Sequence, residues 1–155
     1  MEQFYDYYNN LVKLSFEDHP FSENPKHVWV ICRYRGKWLL TEHKERGLEF
    51  PGGKVEDGEG AFEAAIREVK EETGAVVDQL DYVGQYYVAG KGGTIVKNVY
   101  FAEISRLEEE THYFETNGPV LLEKLPEVLP KQKKYSFMMK DNVLPCCLER
   151  IEAAQ

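Results

Sequence analysis

The stretch Gly47–Ala75, GLEFPGGKVEDGEGAFEAAIREVKEETGA, constrains this chain more than any other. From Ala61 to Thr73 it has a helical pattern, and Gly74 supplies a stop signal. On a wheel turning about 100° per residue, Phe62, Ala65, Ile66, Val69 and Thr73 share one face, expected to pack on a sheet. Glu68, Glu71 and Glu72 form a stripe beside that face at i, i+3 and i+4, while Glu63, Arg67 and Lys70 fall on the solvent side.

The stripe breaks three stabilising rules. Neighbouring carboxylates repel one another. They crowd the last turns of a helix, where the dipole favours cations. They also border the packed face, where desolvation penalises charge. Local rule-breaking of this kind is expected at functional sites. A divalent cation removes all three costs, and oxygen-only ligands suit Mg²⁺ or Mn²⁺ rather than Zn²⁺. The plain alternative is a solvated acidic face. Pro51-Gly52-Gly53 weighs against it, because glycine lets backbone approach a ligand or metal with no side chain in the way.

The remainder reads as one α+β or α/β domain over residues 1–155, a length ordinary for a single core. Lys26–Arg33 and Lys37–Thr41 are strand-like and joined by the turn Tyr34-Arg35-Gly36. Polar chain follows to Phe50, and Pro51-Gly52-Gly53 is expected to break regular structure. Leu80–Val88 and Thr94–Ile104 read as strands around a glycine-rich connection, Val120–Leu122 as a short strand, and Asp141–Ala153 as a final helix. With 43% apolar and 30% charged residues, disorder along most of the chain is excluded.

The formal net charge of −8 argues against a protein whose main task is coating nucleic acid or a membrane. It leaves room for a local basic pocket holding one phosphorylated end. Cys32, Cys146 and Cys147 form neither a disulfide framework nor a C-x-x-C metal pair. With no apolar run long enough to span a bilayer and no signal-peptide pattern over Met1–Asn10, the expected location is cytoplasmic, with no membrane and no obligate protein partner. Scattered histidines exclude a zinc motif. The glycines before Gly92 miss the P-loop spacing, and an EF-hand register fails at its acidic positions.

The segment resembles the Nudix hydrolases, whose box is G-x5-E-x7-R-E-U-x-E-E-x-G-U with U aliphatic. Gly53, Glu59, Arg67, Glu68, Val69, Glu71, Glu72 and Gly74 match, while Ala75 is smaller than the usual last residue. Phe50–Lys54 is similar to the approach to the box in MutT-type members. Lys26–Cys32, Tyr113–Thr116 and Gly118-Pro119 resemble the YtkD-type subgroup, described both as nucleoside triphosphatases and as RNA pyrophosphohydrolases. The resemblance implies a Nudix α/β/α sandwich with a mixed sheet and a loop–helix–loop box. It also implies Mg²⁺- or Mn²⁺-dependent cleavage of a phosphoanhydride in nucleoside triphosphates, including oxidised dGTP, or in 5′-triphosphorylated RNA ends. Glu68, Glu71 and Glu72 would ligate metal with the carbonyl of Gly52, Arg67 would orient a carboxylate, and Glu59 would steady the loop. Glu68, Glu71 or Glu115 would take the proton of the attacking water, and Glu115 could add a ligand. A non-catalytic Nudix-fold module that binds nucleotides or regulates a partner is the alternative, although such modules typically lose one of the three box glutamates.

Substrate contacts are sought among Arg33, Arg35 and Lys37 on the first hairpin, Lys91 and Lys97 on the second, and the run Lys131, Lys133 and Lys134. Tyr86, Tyr87, Tyr135 and Phe137 could stack on a base or belong to the core. Asp141-Asn142 occupies the position from which MutT-type members read a purine edge, a task for which Asn has both donor and acceptor.

Overall fold

The computed structural model describes residues 1–155. Its strands are β1 (Glu2–Tyr5), β2 (Leu11–Ser15), β3 (His27–Tyr34), β4 (Lys37–His43), β5 (Gly47–Glu49), β6 (Gly52–Lys54), β7 (Ala75–Gly90), β8 (Gly93–Leu107) and β9 (Thr116–Leu122). Helix α1 (Ala61–Thr73) lies between β6 and β7, and α2 (Val143–Ala153) closes the chain. All strands join one sheet in the order β1-β2-β7-β8-β3-β4-β5, with β6 paired to β3 and β9 to β4. The β3–β8 pairing is parallel and the rest antiparallel, so the sheet is mixed.

Alternation along β3 builds the layers. Val28, Val30 and Cys32 face α1 and pack with Ala64, Ala65 and Val69. Trp29 and Ile31 face α2 and join a cluster with Val143, Leu144, Cys147 and Ile151. A sheet with both faces buried reads as a continuous apolar run rather than an alternating one, as this strand does. The α/β/α sandwich expected from the box follows from that arrangement.

Several elements differ from the sequence reading. β1 and β2 were not expected: β1 pairs only with β2, and β2 is held in the sheet by β7, more than 60 residues away along the chain. Gly52–Lys54 is regular after all: it pairs with His27–Trp29. There glycine permits close approach, since a Cβ on Gly52 would collide with the Val28 carbonyl oxygen. Helix α2 starts at Val143 rather than Asp141, with Asn142 at its N-cap, and Asp141 Oδ1 accepts the Val143 N–H at 2.9 Å.

The packed face of α1 is also rolled from the expected one. Phe62 and Ile66 remain 48% and 38% exposed, while Ala64 and Glu72 are buried. Small Ala64 and Ala65 let the helix sit close to β3, and the roll carries Glu72 inward against β6. Arg67 turns away from open solvent with it. At its end, Gly74 adopts φ 77° and returns its N–H to the Lys70 carbonyl.

Candidate active site

β6 and the last turns of α1 meet edge to face. The Trp29 indole N–H donates to the Phe50 carbonyl at 3.1 Å, and the Val30 N–H to the Pro51 carbonyl at 2.8 Å. These bonds seat Gly52 and Gly53 against the helix. The Gly52 N–H donates to Glu72 Oε1 at 3.0 Å, and a Cβ on Gly53 would collide with Glu68 Oε2. Only glycine fits there while Glu68 keeps its place. From the far side, the hydroxyls of Thr41 and Thr116 sit 3.0 and 3.1 Å from the Glu72 carbonyl, tying the helix end to β4 and β9.

Arg67 organises the carboxylates. Its guanidinium grips Glu59 through Nε and Nη2 at 2.7 and 2.9 Å and reaches the Lys54 carbonyl at 3.0 Å. Its Nη1 lies 2.6 Å from Glu68 and 3.1 Å from Glu71. One fork thus pins the loop 54–59 to the helix and offsets the like charge of the stripe. Hydrogen bonding to Arg67 holds the Glu59 carboxyl below its ordinary range. Burial pushes the Glu68 and Glu72 carboxyls up, with mutual repulsion adding to the effect on Glu72.

Glu68, Glu71 and Glu72 line a cleft of about 300 Å³, and Glu56, Phe114 and Glu115 complete it. Glu115 stands at φ 61° in a loop docked on α1, where the Phe114 N–H bonds the Glu71 carbonyl at 3.3 Å. The donor set is all oxygen, as a hard divalent cation requires. As placed, no three of these side chains converge on one point, because the Arg67 guanidinium stands between Glu68 and Glu71 as their counter-charge. Oxygen donors desolvated together, packed where only glycine allows them, suit a hard cation. Gly52 enters this arrangement through its N–H.

Residues 22–115 match the family described as NUDIX domain, with the box and its cleft inside that span. This chain belongs to the Nudix family. It is 64% identical over 152 residues to YtkD of Bacillus subtilis (strain 168), named provisionally as an 8-oxo-dGTP diphosphatase; the match covers 98% of this chain and 96% of that protein. It is also similar to the crystal structure of the Bacillus subtilis pyrophosphohydrolase BsRppH in its E68A mutant form. The TM-score is 0.98 at 62% identity, over 99% of this chain and 98% of that one. A NUDIX hydrolase from Nitrosomonas europaea matches with TM-score 0.68 at 22% identity, over 85% of this chain and 90% of that one, and shows the fold alone. Nudix hydrolases generally use a divalent metal.

Across β5 and β6 from its acidic cleft, this Nudix chain collects a second set of side chains. Lys97 lies on the α2 side of β8, its Nζ 5.8 Å from the Tyr86 ring centre, and registers with His27 on β3. Burial pulls the Lys97 ammonium down to about 8, although Glu49 and Asp141 both favour its charge. No ion pair holds it. Burial pushes the Asp141 carboxyl up to about 6. Burial, with Lys97 and Lys54 nearby, lowers His27, whose buried Nδ1 has no hydrogen-bond partner. Phe137 lies four residues before Asp141 and packs on Tyr8.

The remaining expected contacts are scattered. Arg33 lies five residues along β3 from Val28, about 17 Å at strand rise, and is bound to Glu103 at 2.6 Å. Arg35 and Lys37 flank the exposed turn at that same distant end. The structure does not bring these three to the cleft. Lys91 is exposed at the β7–β8 turn, Asn142 is exposed at the start of α2, and Lys131, Lys133 and Lys134 are exposed in a segment running beside β5. Tyr86 and Tyr135 are core residues, and Tyr87 packs on Phe21.

Arg46 and Glu49 escaped the sequence reading. Arg46 holds buried Glu49 in a fork at 2.9 and 2.8 Å. Its charge is felt by Lys97, and it is itself favoured by Glu72 and Glu115. The available signal was weak: an i, i+3 Arg–Glu pair immediately before the box approach.

Proposed function

We propose that this chain is a divalent-metal-dependent pyrophosphohydrolase, one catalytic domain over residues 1–155. It acts in the cytoplasm on nucleoside triphosphates and 5′-triphosphorylated RNA ends, with Mg²⁺ as its metal and Mn²⁺ as a substitute. The observation that carries this reading is the opposition of two charged regions across β5 and β6. Carboxylates of α1 lie on one side; Lys97 and the lysines of 131–134 lie on the other. A polyphosphate bound through metal on the first side would present its nucleoside to the second.

Glu68, Glu71 and Glu72, with the Gly52 carbonyl, would hold the metal. When bound, a divalent ion neutralises the polyphosphate oxygens and stabilises the charge of the departing phosphate. Arg67 keeps Glu68 and Glu71 oriented and prevents the stripe from splaying. Glu115 is the general base of this reading. Glu68 and Glu71 are held by Arg67, whereas Glu115 lines the same cleft and makes no ion pair. Its carboxylate takes a proton from water as that water's oxygen bonds to phosphorus and the anhydride P–O bond breaks. Lys97, His27 and Asp141 would receive the nucleoside, and Phe137 its base.

The names of the two Bacillus subtilis relatives support the same class of reaction. The test is a panel: purified protein with Mg²⁺ or Mn²⁺ and dGTP, 8-oxo-dGTP, a dinucleotide polyphosphate or triphosphorylated RNA, with pyrophosphate resolved from orthophosphate. Metal-dependent release of either from a triphosphate is expected. Tight nucleotide binding with no release from any substrate would favour the non-catalytic module instead.

A further inference from the structure

The loop that carries Glu115 is fastened to three consecutive residues of α1. It leaves β8 beside the helix end, where the Glu108 N–H donates to the Gly74 carbonyl at 2.9 Å. Lys70 then reaches across. Its ammonium bonds the Glu108 carboxylate and lies 2.9 Å from Glu110 Oε1. Further on, the Phe114 N–H donates to the Glu71 carbonyl at 3.3 Å, and the Thr116 hydroxyl to the Glu72 carbonyl at 3.1 Å. The last carbonyls of a helix have no partner within it, so the loop serves as their cap. Glu115 stands between the last two ties at φ 61°, a backbone conformation that a residue with a side chain keeps only when its surroundings impose it.

The tie made by Lys70 differs in kind from the other two. They use helix carbonyls, which any sequence supplies. Lys70 uses its side chain, from the one position in R-E-U-x-E-E that the box leaves open. It is also the one basic residue in the last turn of α1. Glu108, Glu109 and Glu110 bring three negative charges toward a helix whose own stripe is acidic, and Lys70 opposes the repulsion that would lift them away. The loop transmits what Lys70 fixes. The Glu110 N–H donates to the Tyr113 hydroxyl at 3.2 Å, and the Tyr113 ring packs where a Cβ on Gly118 would collide with it. Lys70 itself does not line the acidic cleft. We propose that Lys70 is a positioning residue: by gripping Glu108 and Glu110 it holds the Glu115 carboxylate in place against the metal-binding carboxylates of α1. The inference rests on the assignment of Glu115 as general base.

The experiment compares wild type, Lys70→Met, Lys70→Arg, Glu115→Gln and Lys70→Met/Glu115→Gln in saturating Mg²⁺, on the triphosphate that the wild type turns over fastest. Glu115→Gln should lower kcat at least about 10²-fold. Lys70→Met should lower kcat by about tenfold with KM within about twofold, since a small misplacement of a reacting group is costly while binding is kept. An exposed ion pair adds little to global stability, so the melting temperature should move by no more than about 4 °C. Lys70→Arg should restore the rate. In the Glu115→Gln background, Lys70→Met should cost less than about twofold, because the group it positions is already gone. A tenfold loss that persists in that background would mean that Lys70 acts on the metal carboxylates instead, and overturns the proposal. So does a wild-type rate for Lys70→Met beside an impaired Glu115→Gln, with the base assignment left intact. A wild-type rate for Glu115→Gln would sink the base assignment, and the role of Lys70 with it.

Discussion

The two sides of the β5–β6 strip are built by opposite means. On the α1 side the charged groups come from one helix and the loop before it, held by the single fork of Arg67 on Glu59, Glu68 and Glu71. On the α2 side they come from β3, β8 and the segment before α2, and Lys97 has no ion pair at all. The acidic side is locally braced and tolerates its own charge. The cationic side is assembled at a distance and leaves charge uncompensated. Chemistry common to any polyphosphate suits the first arrangement, and discrimination among substrates suits the second.

The sharpest test of that division is Glu68→Gln. It preserves shape while removing one charge of the stripe, so kcat should fall at least about 10²-fold with KM changed far less. The melting temperature should hold or rise, since a buried, repelled carboxylate is gone. Near-normal turnover in saturating Mg²⁺ would remove Glu68 from the chemistry.

Lys97→Met probes the other side. KM for nucleotide substrates should rise about tenfold with kcat nearly kept, the pattern of lost uniform binding. Stability at neutral pH should increase, because a desolvated, unpaired ammonium is replaced by an apolar side chain of similar length. A loss in kcat as large as that of Glu68→Gln would erase the division between the two sides.

Neutralising Lys131, Lys133 and Lys134 together should weaken RNA cleavage several-fold. It should also flatten the salt dependence of RNA cleavage, by about one unit of slope for every phosphate that a lysine no longer neutralises. Cleavage of dGTP should change little. Equal losses would place these lysines at the triphosphate.

The smallest effect concerns Asp141. Burial raises its carboxyl to about 6 in the folded chain, above its unfolded value. Between those values the folded state binds more protons, so the group erodes stability as pH rises through that window. Asp141→Asn retains an oxygen to accept the Val143 N–H and removes the charge. Denaturation should show a gain of about 1–2 kcal/mol at pH 8 and none near pH 4. A gain independent of pH would mean that the charge is not the cause.

Legibility in the sequence follows the same line. α1 was readable to its ends, because a 3.6-residue period and a glycine stop are local signals. β1 and β2 were not, because their hairpin joins the sheet only through β2 against the remote strand β7. The roll of α1 was misjudged at Phe62 and Ile66. Ranking residues by hydrophobicity cannot register that Glu72 is drawn inward by the Gly52 N–H. Arg33, Arg35 and Lys37 shared a hairpin with the site, yet strand rise carries them to its far end.

The sequence by itself determined the acidic half of this protein: Gly53, Glu59, Arg67, Glu68, Glu71 and Glu72 at spacings that a loop and a helix convert directly into neighbours. Only the tertiary structure decided the cationic half. Lys97, His27 and Asp141 lie far apart along the chain and come to one end of the sheet because β8 runs parallel to β3 while the approach to α2 covers that end. Helical neighbours are fixed by the geometry of the chain. Neighbours across a sheet are fixed by register and packing, which depend on every strand at once.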